Sequence, residues 1–402
     1  MHTKDQAGIP GAEGTGSPAR LGGGRLFGLS VAGAAIRVES EVPGLDVWAA
    51  RLLSPTFAVT PDPDPDLFTV RVVAAAPDAL PTADPRAPRL QLDETQVAVL
   101  EHGTERVTVV QDDGLHPPML ISAVPGDAAV ELAVCCDDAD SLRPAVRFLK
   151  FVLAAGVRAG GAVFLHGAAV SRADRALLFL APSGGGKSSL SFLAGSRAEW
   201  DVVSDDLLLL AGAPQRPALP VRVHGWPHRL GVSTAALIGH PARARFEQAS
   251  LRRHGTPTGS FEGAQSLPWG RATRKRVYLD LDEFQQLTGA RMVGQAVPAA
   301  VVLPQPEQER RGWTIERVLD RPAGWSRQFL ADAGELKFMT DFLGLIDRSR
   351  FPAPVQGGGP ALCRELEGLP AVRVRYGRDV NDRMPQFLAE VCDALGLAEV
   401  AR

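Results

Sequence analysis

Lysine is scarce in this chain. Of 43 basic residues only five are lysines, Lys4, Lys150, Lys187, Lys275 and Lys337, so each asks for a specific reason. Neither sign of charge is in excess, the formal net charge being −3 over 402 residues. That excludes a protein whose main work is neutralising a phosphate backbone, which needs a dense basic face. Long apolar runs are also missing: nothing approaches the ~18 uncharged apolar residues of a membrane span, and the first 24 residues have no apolar signal-peptide core. A cytoplasmic protein without a nucleic-acid or membrane partner is expected. Cysteine is rare and badly spaced for metal: Cys135 and Cys136 are adjacent, Cys363 and Cys392 stand alone, and no CxxC occurs, so buried free thiols are expected. His224 and His228 lie four apart, but Gly225 and Pro227 break the helix that would put both on one face, and no HExxH is present, which argues against zinc.

What is present is an ordinary globular composition, 45% hydrophobic, at a length that suggests two or three domains. The 41 glycines and 32 prolines stay below the ~25–30% that marks low-complexity chains. Residues 1–24, rich in Gly, Ala and Pro, have little to bury and read as a disordered tail. From 25 to 140 the apolar residues alternate in short runs (LFGLSV, AIRVES, LFTVRVV, QVAVLEH, RVTVVQD, MLISAV, VELAVCC) separated by turn signals, the pattern of a β-rich domain with an antiparallel sheet. The period then changes. In 141–157 Val146, Phe148, Leu149, Phe151, Val152 and Leu153 crowd one side of a helix that ends at Gly160-Gly161. The second domain, 141–402, is placed to begin there. Strands are expected at 162–170 and 176–181, a strand pair or one long bent strand over 201–212, and further strands near 277, 299 and 371. Helical patterns cover about 325–346 and 381–396. The stretch 240–273 has weak periodicity, and chain of that length without regular structure is usually a lid, a binding loop or disorder.

The run Ala181-Pro182-Ser183-Gly184-Gly185-Gly186-Lys187-Ser188 follows an apolar strand and opens a helical stretch. It matches the phosphate-loop pattern except that Ala181 stands where the first glycine is expected. Glycines let backbone N–H groups wrap phosphate oxygens, a helix N-terminus offers partial positive charge, Lys187 can reach the terminal phosphates and Ser188 can hold Mg²⁺. Ser183, Gly184, Gly185, Gly186, Lys187, Ser188 and Ser189 are therefore the expected nucleotide contacts. Transfer to a hydroxyl also needs a metal carboxylate and a base. Asp205-Asp206, eighteen and nineteen residues after Lys187, is the candidate for both, although an exposed acidic turn between strands would look the same.

The run LHGAAV…LLFLAPSGGGKSSL…WDVVSDDLLLL resembles the C-terminal domain of bacterial HPr kinase/phosphorylase and its HPr-kinase-like relatives, whose phosphate-loop fold is in turn similar to phosphoenolpyruvate carboxykinase. The resemblance covers roughly 145–212 well and the remainder of the chain after it only in outline. It implies an α/β (α+β) fold in which a phosphoenolpyruvate-carboxykinase-like P-loop kinase domain follows the β-rich one. It implies ATP and Mg²⁺ as cofactors, with Ser188 and Asp205 on the metal. His166-Gly167 matches the family's His-Gly before the loop, and His166 would position Asp206, the second acid, which accepts the proton of the acceptor hydroxyl. A strand histidine is otherwise a satisfied core residue. The stretch 221–233 carries no acidic residue where the HPr kinases have a further metal-binding Glu, which speaks against HPr itself as acceptor and against the reverse phosphorolysis reaction.

Other residues invite weaker assignments. Arg274-Lys275-Arg276 precedes a strand, and Lys275 is a candidate cation for the charge that develops on a transferring phosphoryl group, against the alternative of a solvated basic turn. Arg252-Arg253-His254 could grip an acidic acceptor or close over ATP. Trp226 and Trp269 read as packing. The expected activity is ATP-dependent phosphorylation of a hydroxyl in a peptide precursor or small protein. The alternatives are a small-metabolite kinase and a nucleotide-gated binding protein without catalysis. Homo-oligomerisation stays open.

Overall fold

The computed structural model describes residues 24–76, 79–80, 89–92, 95–102, 106–112, 119–124, 127–135, 142–212, 220–227, 230–246, 248, 276–307, 309–331, 348–351 and 358–401. It is a mixed α/β protein built on two large sheets. The first contains β1 (Arg25–Val31), β2 (Ala34–Ser40), β3 (Ala58–Thr60), β4 (Phe68–Ala74), β5 (Arg89–Leu92), β6 (Thr95–His102), β7 (Arg106–Asp112), β8 (Met119–Ala123) and β9 (Ala129–Val134). Every alternating run of the sequence in this region is a strand. In β2 the alternation is complete: Ala34, Ile36, Val38 and Ser40 are buried and the residues between them are only half so, which is what a sheet with one covered face requires.

The spatial order is β3-β1-β2-β4-β9-β8-β7-β6-β5, and the sheet is not antiparallel throughout, because β4 runs parallel to both β2 and β9. A parallel neighbour needs a crossover. Helix α1 (Leu45–Leu53), buried through Leu45, Ala49 and Leu53, lies in the connection from β2 to β4, and the antiparallel run β5 to β8 is looped out between β4 and β9. Helix α2 (Leu142–Ala159) lies against β1, β2 and β9. Its apolar side belongs to a core that also takes in Phe164, Leu207, Leu209 and Trp226, so the helix is bedded against both halves of the chain.

The second sheet is made of β10 (Val163–Arg172), β11 (Arg175–Leu180), β12 (Asp201–Ser204), β13 (Leu207–Ala211), β14 (Arg222–Gly225), β17 (Gln295–Pro306), β18 (Trp313–Arg317) and β19 (Ala371–Tyr376). Its order is β11-β10-β13-β14-β17-β19-β18, with β12 also on β10 and β11 also on β17, so the path from β11 through β10, β13, β14 and β17 returns on itself. A separate ribbon pairs β15 (Leu230–Ser233) with β16 (Arg276–Leu279). Helix α3 (Lys187–Ala198) packs beside a later helix, Met384–Leu395, over a core that includes Leu177, Phe179, Leu193, Val302 and Phe387. Two further helices are Leu281–Thr288 (α4) and Gly358–Gly368 (α5), which makes Met384–Leu395 α6. The strands β11, β17 and β19 run parallel. Their C-terminal ends therefore lie on one side. Of the helical pattern expected over 325–346, a 3-10 turn at Trp325–Phe329 is described and 332–346 lies outside the described residues. No described helix is long and apolar enough to cross a membrane.

Candidate functional site

The loop 181–186 follows from what stands on either side of it. Strand β11 is buried from Ala176 to Leu180 and cannot turn without leaving the sheet, and α3 begins at Lys187 with Gly186 as its N-cap. Gly184 and Gly186 take φ +80° and +90°, the left-handed region that glycine enters without a Cβ penalty. At Gly186 there is a second reason: a Cβ would lie 1.9 Å from the Tyr376 hydroxyl oxygen. Ala181 is accommodated where the pattern has glycine, since its methyl fills the space beneath Gly185, where an added Cβ would stand 2.5 Å from it.

Lys187 is 4% exposed. Its ammonium arches back over the loop and donates to the carbonyls of Ala181 (2.8 Å) and Pro182 (3.2 Å). Next to it the Ser188 hydroxyl donates to the Asp205 carbonyl at 2.9 Å. Both side chains sit at the N-terminus of a twelve-residue helix, where unpaired amides and the helix dipole favour an anion.

The two adjacent acids face different surroundings. They occupy the turn between β12 and β13, which the Ser204 hydroxyl closes by donating to the Leu207 carbonyl at 2.8 Å. Asp205 is 5% exposed, and its carboxylate accepts the Gly231 N–H of β15 at 2.9 Å. The Asp206 side chain is 46% exposed and stands 3.3 Å from Nε2 of His166. Its carbonyl accepts the Gly167 N–H at 3.0 Å, so the His-Gly pair is tied to the Asp pair through backbone as well as side chain. A Cβ on Gly167 would come within 2.6 Å of the Leu180 side chain and 3.1 Å of that of Leu208, so both leucines would have to shift to admit it.

These pieces enclose a cavity of about 230 Å³. Of the residues singled out in the sequence, it brings together His166, Ser183, Gly184, Gly186, Lys187, Ser188, Ser189 and Asp206. Gly185 and Asp205 do not line it. Asp205 thus touches the site through its carbonyl on Ser188 and its carboxylate on Gly231, whereas the acid facing the cavity is Asp206. Lys275, Arg252, Arg253, His254, His228 and Trp269 lie outside the described residues. The backbone of Arg276, next to Lys275, pairs with Ser233, which does line the cavity.

Sequence reasoning missed Ser233, Pro306, Tyr376 and Asn381 on the cavity wall. Pro306 and Tyr376 are register partners at the ends of β17 and β19, and the signal that could have found them is their place as last residues of strands parallel to β11. Asn381 is 3% exposed and donates to the Ala235 carbonyl at 2.9 Å. Away from the cavity, His224 is held in β14, where burial pushes its imidazole down to about 4. Trp226 packs edge-on to Phe164 at 4.9 Å between ring centres.

The donor set on the cavity wall suits a phosphate chain: the N-terminus of α3 behind Ser183, Gly184 and Gly186, one buried ammonium and a hydroxyl. Mg²⁺ keeps several waters and is held mostly by substrate phosphates with one or two carboxylates; here the Ser188 hydroxyl is the group on the cavity wall that would hold it, whereas the Asp205 carboxylate expected beside it is bonded to the Gly231 N–H. No group of three or more His, Cys, Asp or Glu that could hold a metal occurs among the described residues. No protein-family model matches the chain, and no curated protein matches it significantly.

Proposed function

We propose that this protein is an ATP-dependent phosphotransferase of the HPr-kinase-like type, on a phosphoenolpyruvate-carboxykinase-like P-loop domain. The observation that carries this reading is the convergence on one cavity of Lys187, at the start of α3, and the His166–Asp206 pair. The loop amides and Lys187 hold the phosphate chain. Ser188 would hold Mg²⁺, which supplies neutralisation of the developing phosphate charge, with Asp205 keeping the Ser188 hydroxyl in place. Asp206 accepts the proton of the acceptor hydroxyl as that oxygen bonds to the γ-phosphorus and the bond to the bridging oxygen breaks, leaving ADP. His166, through its contact with Asp206, orients the carboxylate.

The exposure of the two sides favours a peptide or protein acceptor over a small metabolite. Lys187 is sealed, whereas His166 and Asp206 keep 30% and 46% of their side chains open to solvent. A small acceptor needs enclosure to be gripped, while a chain-borne Ser or Thr can approach an open base. A nucleotide sensor without chemistry would have no use for the Asp206–His166 pair.

The test is incubation with γ-labelled ATP, Mg²⁺ and Ser- or Thr-bearing peptides and small proteins. Label should pass to a hydroxyl with wild-type protein and not with Asp206→Asn. Absence of both Mg·ATP binding and label transfer would overturn the reading.

A further inference from the structure

We propose that Tyr376 is a phosphate-binding residue of this cavity, its hydroxyl donating a hydrogen bond to the phosphate chain that the loop holds. This rests on the phosphate site proposed above and extends it to a residue that no phosphate-loop pattern contains. Tyr376 lines the cavity although it is only 1% exposed. Its hydroxyl oxygen lies where a side chain on Gly186 would be, beside the first turn of α3, which Lys187 opens.

The side chain is held in this position from several directions. Its ring packs with Phe387 at 6.1 Å between centres. Its carbonyl accepts the Glu307 N–H at 2.9 Å, and the next amide, Gly377, donates to the Gly312 carbonyl at 3.0 Å. Gly377 cannot be replaced freely, since a Cβ there would stand 1.9 Å from the Arg310 carbonyl oxygen. The phenol is thus presented at the mouth of β19 with little freedom to lose on binding. Burial raises its pKa above the ordinary phenol value, so it stays protonated and able to donate. The phenol has one proton to donate, and a phosphate oxygen at the loop competes for it as a charged acceptor. A hydrogen bond to a charged group contributes about 1.5–3 kcal/mol, which is roughly 10- to 100-fold in affinity.

Tyr376→Phe keeps the ring in its packing and removes only the hydroxyl. The probes are Mg·ATP and inorganic pyrophosphate with Mg²⁺, titrated by calorimetry beside a melting curve. The expected result is a loss of roughly 10- to 100-fold in affinity for both, with the melting temperature held. Unchanged affinity for both overturns the proposal, and so does a wild-type protein that binds neither probe. Pyrophosphate binding that weakens in Tyr376→Phe without any label transfer from ATP would uphold the phosphate role and sink the kinase reading instead. A second measurement does not depend on the variant folding. The chain has two tyrosines, Tyr278 and Tyr376, so in Tyr278→Phe protein made with 13C-ring-labelled tyrosine the labelled resonances report Tyr376 alone. Pyrophosphate should shift them, and unshifted resonances at saturating pyrophosphate overturn the assignment.

Discussion

At the scale of single residues, the division between holding phosphate and moving a proton can be separated by two substitutions. Lys187 is buried with its ammonium bonded to two loop carbonyls, an arrangement that a phosphate would exchange for a charge-assisted bond. Lys187→Ala should therefore weaken Mg·ATP binding by roughly 10- to 100-fold, and calorimetry showing unchanged affinity would remove Lys187 from the phosphate site. Asp206→Asn should do the opposite, leaving affinity within a few-fold while turnover falls by about 10²–10⁴, the usual contribution of a general base. Wild-type turnover in that variant would mean Asp206 takes no proton. The phosphate loop was legible because backbone conformation dictates its residues: Gly184 and Gly186 are where a left-handed φ is needed. The unequal exposure of Asp205 and Asp206 was not legible, since which acid meets Gly231 and which meets His166 is decided by where β15 and β10 lie in space. Tyr376 was hidden for the same reason, being distant in sequence from everything it touches at the loop.

At the scale of elements, period carries information and partners do not. The seven alternating runs of the first sheet, the amphipathic α2 and the hairpin β10–β11 all follow from side-chain spacing. The parallel pairings of β4 do not, because a strand's alternation is the same whichever way its neighbour runs. Helix α1 was missed because its buried set is only Leu45, Ala49 and Leu53 in nine residues. Contacts between elements far apart in sequence are likewise invisible beforehand, and one of them makes a testable prediction. Asp280 caps α4 through a capping box and is 4% exposed. Both its oxygens accept from Arg143 of α2, at 3.2 and 2.8 Å. Removing one partner of a buried ion pair strands the other charge, at a cost of about 3–5 kcal/mol. Arg143→Ala should lower stability in urea titration by about 3 kcal/mol, with some relief from water entering beside the shortened side chain. A change under ~0.5 kcal/mol would mean that Asp280 is satisfied by its capping contacts alone.

At the scale of the whole molecule, the seam between the two sheets is where α2 lies, and it contains a buried cation. Lys150 donates to the Pro227 carbonyl, and its ammonium sits 5.8 Å from the centre of the Trp226 ring. Trp226 in turn packs on Phe57 from the first half of the chain and Phe164 from the second. Although part of the residue stays accessible, the ammonium is enclosed, and this desolvation, with the nearby Arg147 charge adding to it, lowers its pKa from 10.5 to about 7. The unfolded chain keeps that proton up to about pH 10.5, while the folded protein gives it up from about pH 7. Between these values the unfolded state binds more protons, so this group makes stability rise with pH across the window, by at most ~1.4 kcal/mol per pH unit. Below pH 7 both states are protonated and the slope from Lys150 vanishes. Lys150→Met keeps the apolar stem and removes the titration. In urea titrations at pH 7, 8 and 9, the stability of wild type minus that of Lys150→Met should increase at each step, because the variant lacks the gain that follows loss of the proton. A difference that stays flat over those three values would show that water reaches the ammonium and that the seam is wetter than its aromatic packing implies.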